Sequence, residues 1–484
     1  MNVLSNMEPK EVFSYFEEIC SIPHASYHEE KISNYCVEFA KQHNLTYYQD
    51  NLNNVIIVKD ATPGYEEEEP VILQGHLDMV CEKEPGCSIN FDTDGIKLKV
   101  EDGYITADGT TLGGDDGIAV AYALAILASD TIVHPRLEVV LTVSEEVGME
   151  GASGIDVSML KGRRLLNLDS EEEGIFLAGC AGGASILCSL PVRRMPAAGS
   201  AVRITAAGLN GGHSGVEINK GRANANTLMG RVLIELSHQI NFKLAAFEGG
   251  RKDNAIPREC SVTLYMEERD IDTAKQAIAN IQKDIANEYA LTDSNIKFKA
   301  EIATQLPADM LDEVSTRQAI LFVNALPNGI QAMSADVEGL VETSLNMGVL
   351  YLDEKEIKLH FAVRSSVRSA KDALINKLTY LTQGLGGSTQ ISGTYPAWEY
   401  KRNSALREKM VAVYEKMYGK KPAIEAIHAG VECGLLSAKL PGLDCISIGP
   451  DMEAVHTTEE KLSIESTNRV WEYLLEVLRT KDVE

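Results

Sequence analysis

VILQGHLDM, running from Val71 to Met79, opens as a buried β-strand and closes on a candidate metal ligand. Val71, Ile72 and Leu73 form a short apolar run of the kind that fills a sheet interior. Gln74 and Gly75 end the run, and His76 and Asp78 follow two residues apart. In extended chain, residues i and i+2 point to the same side. An imidazole and a carboxylate on one side of a strand exit suit a ligand and the partner that orients it. A surface His-Asp pair would look the same, so the weight comes from repetition of the pattern along the chain.

It recurs three times downstream. Leu112-Gly-Gly-Asp-Asp-Gly117 leads into IAVAYALAILAS, an Ala-rich run long enough for a buried helix, with Asp115 and Asp116 at its N-terminus, where carboxylates are favoured. The segment from Arg136 to Val143 reads as a strand and is followed by Ser144, Glu145 and Glu146. Arg164 to Leu168 reads as another, followed by Asp169. Strands alternating with helices predict an α/β fold with a mainly parallel sheet. In such sheets ligands bind beyond the carboxyl ends of the strands, which is where these polar residues fall.

Upstream, Pro9 to His43 has helical spacing broken at Pro23, and Asn54 to Val58 reads as a strand. After Ala184 the character changes. Ser185–Leu190, Ala201–Ala206 and Cys260–Met266 alternate like antiparallel strands, with helical runs at 223–238, 271–290 and 315–326. From Tyr395 the α/β style resumes, with a helix near 404–418, a strand near 444–448 and a C-terminal helix. The organisation this predicts is a discontinuous catalytic domain, 1–184 with 395–484, carrying an inserted α+β domain at 185–394.

At 484 residues the chain exceeds the roughly 250–300 at which single cores stop growing. The formal net charge of -26 argues against nucleic acid and anionic membranes as partners. No apolar stretch reaches the roughly 18–20 residues of a membrane span. The N-terminus has no basic segment followed by an apolar core. The nine cysteines are scattered, without a Cys-x-x-Cys pair, which fits a cytoplasmic location and argues against thiolate ligation. The glycine-rich turns match neither nucleotide-binding pattern.

His76, Asp78, Asp115, Asp116, Glu145, Glu146 and Asp169, with His456 in the late segment PDMEAVHTTE, make up the constellation. So many clustered carboxylates would resist ionising together, and cations relieve that. Two histidines, several carboxylates and no cysteine describe an N/O metal site. The ligand number suits two divalent ions sharing a carboxylate, able to activate a water and polarise a carbonyl. Adjacent residues in extended chain diverge, so one of Glu145 and Glu146 can bind metal while the other serves as a general base; a solvated acidic turn would give the same pair.

These residues lie in segments with a family resemblance. GHLDM, LGGDDG, SEEVGMEG, LNLDSEEEG and AVHTTEE, in that order, resemble the M20 family of cocatalytic zinc peptidases. NGGHSGVEINKGRANAN, RKDNAIPRE and HAGVECG resemble its lid domain. The resemblance implies a three-layer αβα catalytic domain with an inserted lid and dimerisation domain, and two Zn2+ per subunit, in sites where Co2+ or Mn2+ would also be accepted. It implies that Asp115 bridges the ions, that His76 and Asp169 complete one site, and that Glu146 and His456 complete the other. Glu145 is then the base acting on the bridging water, and Asp78 orients His76. Asp116 stays outside the ligand set, and Glu171, Glu172 and Glu173 read as a solvated run. From the lid, His213 is implied to stabilise the oxyanion, as a lid histidine often does from the partner subunit in that family, and Arg364 to grip a substrate carboxylate, with Asn254 a second candidate. Gly430 and Glu432 are candidates for lining the pocket, Glu432 against a substrate amine.

The expected activity is hydrolysis of unblocked dipeptides, Xaa-His and broader, by a homodimer joined through the lid domain. Two alternatives stay open: an N-acyl-amino-acid deacylase or carboxypeptidase of the same family, and a non-catalytic dipeptide-binding protein.

Overall fold

A computed structural model describes residues 3–482. By its contacts the chain forms two compact units. One comprises Met1–Gly179, Tyr400–Ala426 and Val431–Glu484; the other comprises Cys180–Glu399 and Ile427–Gly430. The joins lie near, not at, residues 184 and 395, and the grouping of Ile427–Gly430 with the second unit is not anticipated by the sequence.

The first unit is built on an eight-stranded sheet. Its strands run in the order Thr46–Gln49, Val55–Lys59, Leu137–Thr142, Val71–His76, Arg164–Asn167, Asp444–Ser447, Ile175–Cys180, Ala423–Ile427. The four central strands are mutually parallel. Antiparallel pairings flank them, so the sheet is parallel where the site residues emerge and mixed at its margins. All six residues of Val71–His76 and of Leu137–Thr142 are buried. Val55, Ile57, Val71, Leu73, Val139 and Leu141 share one core with Phe13, Phe16, Ile118 and Leu474. Ile56, Ile72, Val140 and Leu165 alternate with those strand residues, so they point to the opposite face, and they are fully buried as well. Each such aliphatic side chain contributes roughly 1.5–3 kcal/mol on burial. Sheets covered on both faces need this uninterrupted apolar composition, and the result is the helix–sheet–helix layering expected.

The Gly114–Ala128 helix has no polar face and is buried all round. It packs between Lys10–Cys20 and the Val71–His76 strand. A four-stranded sheet of Met452–Glu453, Lys461–Ser463, Tyr104–Ala107 and Leu98–Glu101 anchors the segment that carries His456.

The second unit holds a nine-stranded antiparallel sheet, with helices Ala225–Ser237, Ile271–Glu288, Glu313–Ala325 and Arg368–Gly384. Asn224 caps the first of these by accepting from the N–H groups of Asn226 and Thr227. Asp312 caps the third through the Ser315 N–H. The sheet and helices enclose a separate core that includes Ile204, Leu233, Phe322 and Phe361.

Candidate metal centre

The carboxyl ends of the parallel strands bring the side chains together. His76 is the last residue of its strand and is 1% exposed. Its Nδ1 lies 2.9 Å from the Asp78 backbone oxygen and 3.5 Å from Asp78 Oδ1. With a proton held there, Nε2 presents its lone pair to the site. Asp78 does more than orient His76. Its Oδ1 accepts from the Glu145 N–H at 2.9 Å, and its Oδ2 accepts from the Glu146 N–H at 3.3 Å and the Ser26 hydroxyl at 2.8 Å. One buried carboxylate thus ties the histidine to the Glu145–Glu146 turn.

That turn is also held from behind. Ser144 has a left-handed φ of 53°, and its N–H and hydroxyl both donate to Glu29 Oε1, at 2.9 and 2.7 Å. The two glutamates then separate. Glu146 Oε1 is 2.8 Å from His456 Nε2, whereas the Glu145 carboxylate makes no side-chain hydrogen bond among the described residues. Burial, reinforced by Glu146 and Asp115 nearby, pushes the Glu145 carboxyl up to about 7.

Asp115 lies at the centre. Its Oδ1 is 3.1 Å from His76 Nε2 and its Oδ2 is 3.2 Å from His456 Nε2. Burial would raise this carboxyl, but the hydrogen bonds to the two histidines hold it below the usual range. Asp169 Oδ1 lies 3.7 Å from His76 Nε2. Burial and the charges of Asp116 and Asp115 push its pKa well up. His456 has a left-handed φ of 65° and is raised to about 10 by Asp115 and Glu146. Ligand atoms of two groups converge closely enough to hold an ion: His76, Asp116 and Asp169, and His76, Asp115 and Glu146. One carboxylate offering an oxygen to each of two imidazoles, among further buried carboxylates, fits a pair of divalent cations that accept nitrogen and oxygen ligands together.

Asp116, which the sequence reading leaves out of the ligand set, lies among these groups. It is fully buried; its Oδ2 accepts from the His76 N–H at 3.1 Å, and its Oδ1 has no partner. The peptide bond joining it to Asp115 is cis. Glu460 is also missed, although it follows His456 closely: it is 3% exposed and accepts from three backbone N–H groups of the Leu112–Gly114 turn. Of the acidic run after Asp169, Glu173 pairs with Arg469 through several contacts of 2.7–3.0 Å and is therefore not simply solvated.

Glu432 stands apart from its expected place. The sequence puts it at a substrate amine, but the structure buries it completely. Its Oε2 accepts from Gln74 Nε2 at 2.5 Å and Thr142 Oγ1 at 2.6 Å, while its Oε1 is unpaired. Burial, with Glu145 adding to it, pushes this carboxyl up to about 8. Gln74 in turn accepts from Asn167 at 2.6 Å, so three of the four central strands share one polar bracket beneath their ends.

The remaining candidates belong to the second unit. His213 is half-buried, and its Nδ1 accepts from the Gly215 and Val216 N–H groups, each at 3.3 Å. Burial and the Arg364 charge lower its pKa. Arg364 is 9% exposed; one terminal nitrogen donates to the Tyr395 hydroxyl at 2.9 Å, and its Nε is unpaired. Asn254 is exposed and gives its backbone oxygen to the Ser214 N–H. Gly430 is partly buried. His428, which no sequence argument singles out, is buried with Nε2 2.7 Å from the Ser344 hydroxyl. Burial, then Arg364, bring its pKa down to about 4.

Residues 204–293 match the model of a peptidase dimerisation domain of the M20 type. The cytosol non-specific dipeptidase of Escherichia coli K12 is 38% identical over 99% of both chains. A crystal structure of aminoacylhistidine dipeptidase from Vibrio alginolyticus superposes with a TM-score of 0.94 at 37% identity, covering 99% of this chain and 98% of that one. The aminopeptidase PepT of Bacillus cereus shares the fold, with a TM-score of 0.56 at 16% identity over 98% of each chain.

Proposed function

This chain belongs to the M20 family of metallopeptidases, as a peptide-bond hydrolase of the dipeptidase type, and from that premise we propose that it is a cytoplasmic dinuclear zinc enzyme cleaving unblocked dipeptides, Xaa-His among them. The observation that carries the reading is Asp115, whose two oxygens face His76 and His456 separately, with Glu145 unpaired beside them. His76 and Asp169 would hold one ion with Asp115, and Glu146 and His456 the other. When bound, the ions supply the Lewis acidity that acidifies a water and polarises a peptide carbonyl.

The chain's own groups do the rest. Asp78 fixes the His76 tautomer and, through two backbone N–H groups, the direction of the glutamate turn. Glu145 takes a proton from the attacking water and returns it to the leaving amine. Its lack of a competing partner favours that role over the Glu146 carboxylate, already facing His456. From the second unit, we assign His213 to the oxyanion, through the Nε2 left open by its Nδ1 contacts. Arg364, held by Tyr395 with Nε unpaired, takes the substrate carboxylate, with Asn254 and Gly430 as accessory groups.

The test is release of amino acids from a dipeptide panel and an acetylated amino acid, by metal-stripped protein with and without Zn2+. Metal-dependent cleavage confined to unblocked dipeptides is expected. Preference for the acetylated substrate would move the chain to the deacylase alternative, and tight dipeptide binding without cleavage would make it a binding protein. The match to a dimerisation domain supports a homodimer. Light scattering should give twice the mass of one chain; a monomer at micromolar concentration would remove that part of the reading.

A further inference from the structure

We propose that Glu460 is a positioning residue that clamps the His456 segment to the Leu112–Gly114 turn and so sets the spacing between His456 and Asp115. The inference rests on the dinuclear reading above. Glu460 Oε2 accepts from the Leu112 N–H at 2.8 Å and the Gly113 N–H at 3.3 Å, and Oε1 accepts from the Gly114 N–H at 2.9 Å. Gly113 is left-handed, with φ 72°. That conformation turns successive N–H groups toward one point, a concavity suited to an anion. The turn admits little else: a Cβ on Gly113 would lie 2.9 Å from Met79 Sδ, and one on Gly114 would lie 3.3 Å from Glu460 Oε1.

Both ends of this clamp continue directly into ligands. Asp115 is the residue after Gly114, and Glu460 lies four residues beyond His456. The chain between His456 and Glu460 is turned back by the Thr457 N–H on Ala454 oxygen and the Glu460 N–H on Thr457 oxygen, each at 3.2 Å. It then enters the small sheet at Lys461–Ser463. His456 itself is half-exposed with a left-handed backbone, so its own packing does little to hold it. His76 and Asp169, by contrast, sit at or just past strands buried in the sheet. The Glu460 oxygens are taken up by N–H groups and Glu460 is in neither group of converging ligand atoms, so its work is separate from ligation. A glutamine could not replace it, because its amide NH2 would face donors.

The experiment is Co2+ titration of metal-stripped, full-length protein, followed by visible absorption, on wild type, E460Q, E460D and E459Q. Glu459 is the exposed neighbour and serves as a charge control. Wild type and E459Q are expected to bind two ions alike. E460Q should bind one ion normally and the other about 10–100-fold more weakly, as loss of a group that orients ligands does, with E460D in between. Thermal unfolding of the stripped proteins is read alongside. E460Q binding both ions as wild type would overturn the inference. Equal weakening of both events with a lowered unfolding temperature would also overturn it, by showing support of the fold in general. If E460Q does not fold, E460D decides on the same criteria. A wild type that binds fewer than two ions would instead bring down the dinuclear reading itself.

Discussion

Glu145 and Glu146 are chemically identical neighbours whose backbone N–H groups are held by the two oxygens of one Asp78 carboxylate. What separates them is direction: Glu146 meets His456, and the Glu145 carboxylate makes no side-chain hydrogen bond among the described residues. Glu145→Ala is therefore expected to lose about 10²–10⁴-fold in kcat while the protein keeps its metal; full turnover with metal bound would refute the base assignment. The same ambiguity runs through Asp115–Asp116 and Glu459–Glu460. In each pair the sequence shows two like carboxylates, and only the fold shows what each one faces, so the strand-end placement of the site is legible in the residues but the separate surroundings of each member of a pair are not. His428 is hidden for another reason: it opens the segment HAGVECG, but nothing in its neighbours along the chain shows that its side chain is buried against Ser344. Its pKa of about 4 lies below the ordinary 6.5 because the site is buried and faces Arg364 and His213. The unfolded chain then binds the proton more readily than the native one. The stability this contributes is intact above pH 6.5 and lost as pH falls toward 4. Between pH 7 and pH 5 the loss is at most about 2 kcal/mol. Urea unfolding at the two pH values should show it in wild type and not in His428→Gln; equal pH dependence in both would exclude the cause.

At the scale of elements, the Val71–His76 strand and the Gly114–Ala128 helix meet at one close point. A Cβ on Gly75 would lie 2.5 Å from Asp116 Oδ2 and 2.7 Å from the Ala119 Cβ. Gly75→Ala must therefore push the helix off the strand or drive Asp116 from the His76 N–H. Either costs about 1–3 kcal/mol, the range for overpacking a dense core, and should lower the unfolding temperature of metal-stripped protein; an unchanged midpoint would mean the contact relaxes freely. The strands that make this contact are readable because they are continuous apolar runs. The Val341–Leu352 strand is the opposite case and escapes the sequence reading. Thr343, Ser344 and Asn346 interrupt its apolar pattern, yet all three are buried. Each is satisfied from elsewhere in the chain: Thr343 by Ser365, Ser344 by His428, and Asn346 by the Asp253 and Ala255 carbonyls. A buried polar residue with a distant partner looks, in one dimension, like a surface residue.

For the whole molecule, the net charge of -26 and the gathering of carboxylates at the carboxyl ends of the central strands pull in the same direction. The first unit gathers Asp115, Asp116, Glu145, Glu146 and Asp169 around one point, where burial and neighbouring charge raise the Asp116, Glu145 and Asp169 carboxyls, and divalent cations would relieve that strain in the first unit only. The second unit has its own core and contributes none of these ligands. A ligand that binds only the native state stabilises by RT ln(1 + [L]/Kd), about 2.7 kcal/mol at one hundred times Kd. Calorimetric unfolding of metal-stripped protein is thus expected to show two transitions. Added Zn2+ should move one of them upward and leave the other in place, because separate cores unfold as separate cooperative units. His456→Ala should shrink the Zn2+-dependent shift without moving the second transition. A single transition that moves as one with Zn2+ would mean that the two cores are thermodynamically coupled, and that a carboxylate cluster in one unit stabilises the entire chain.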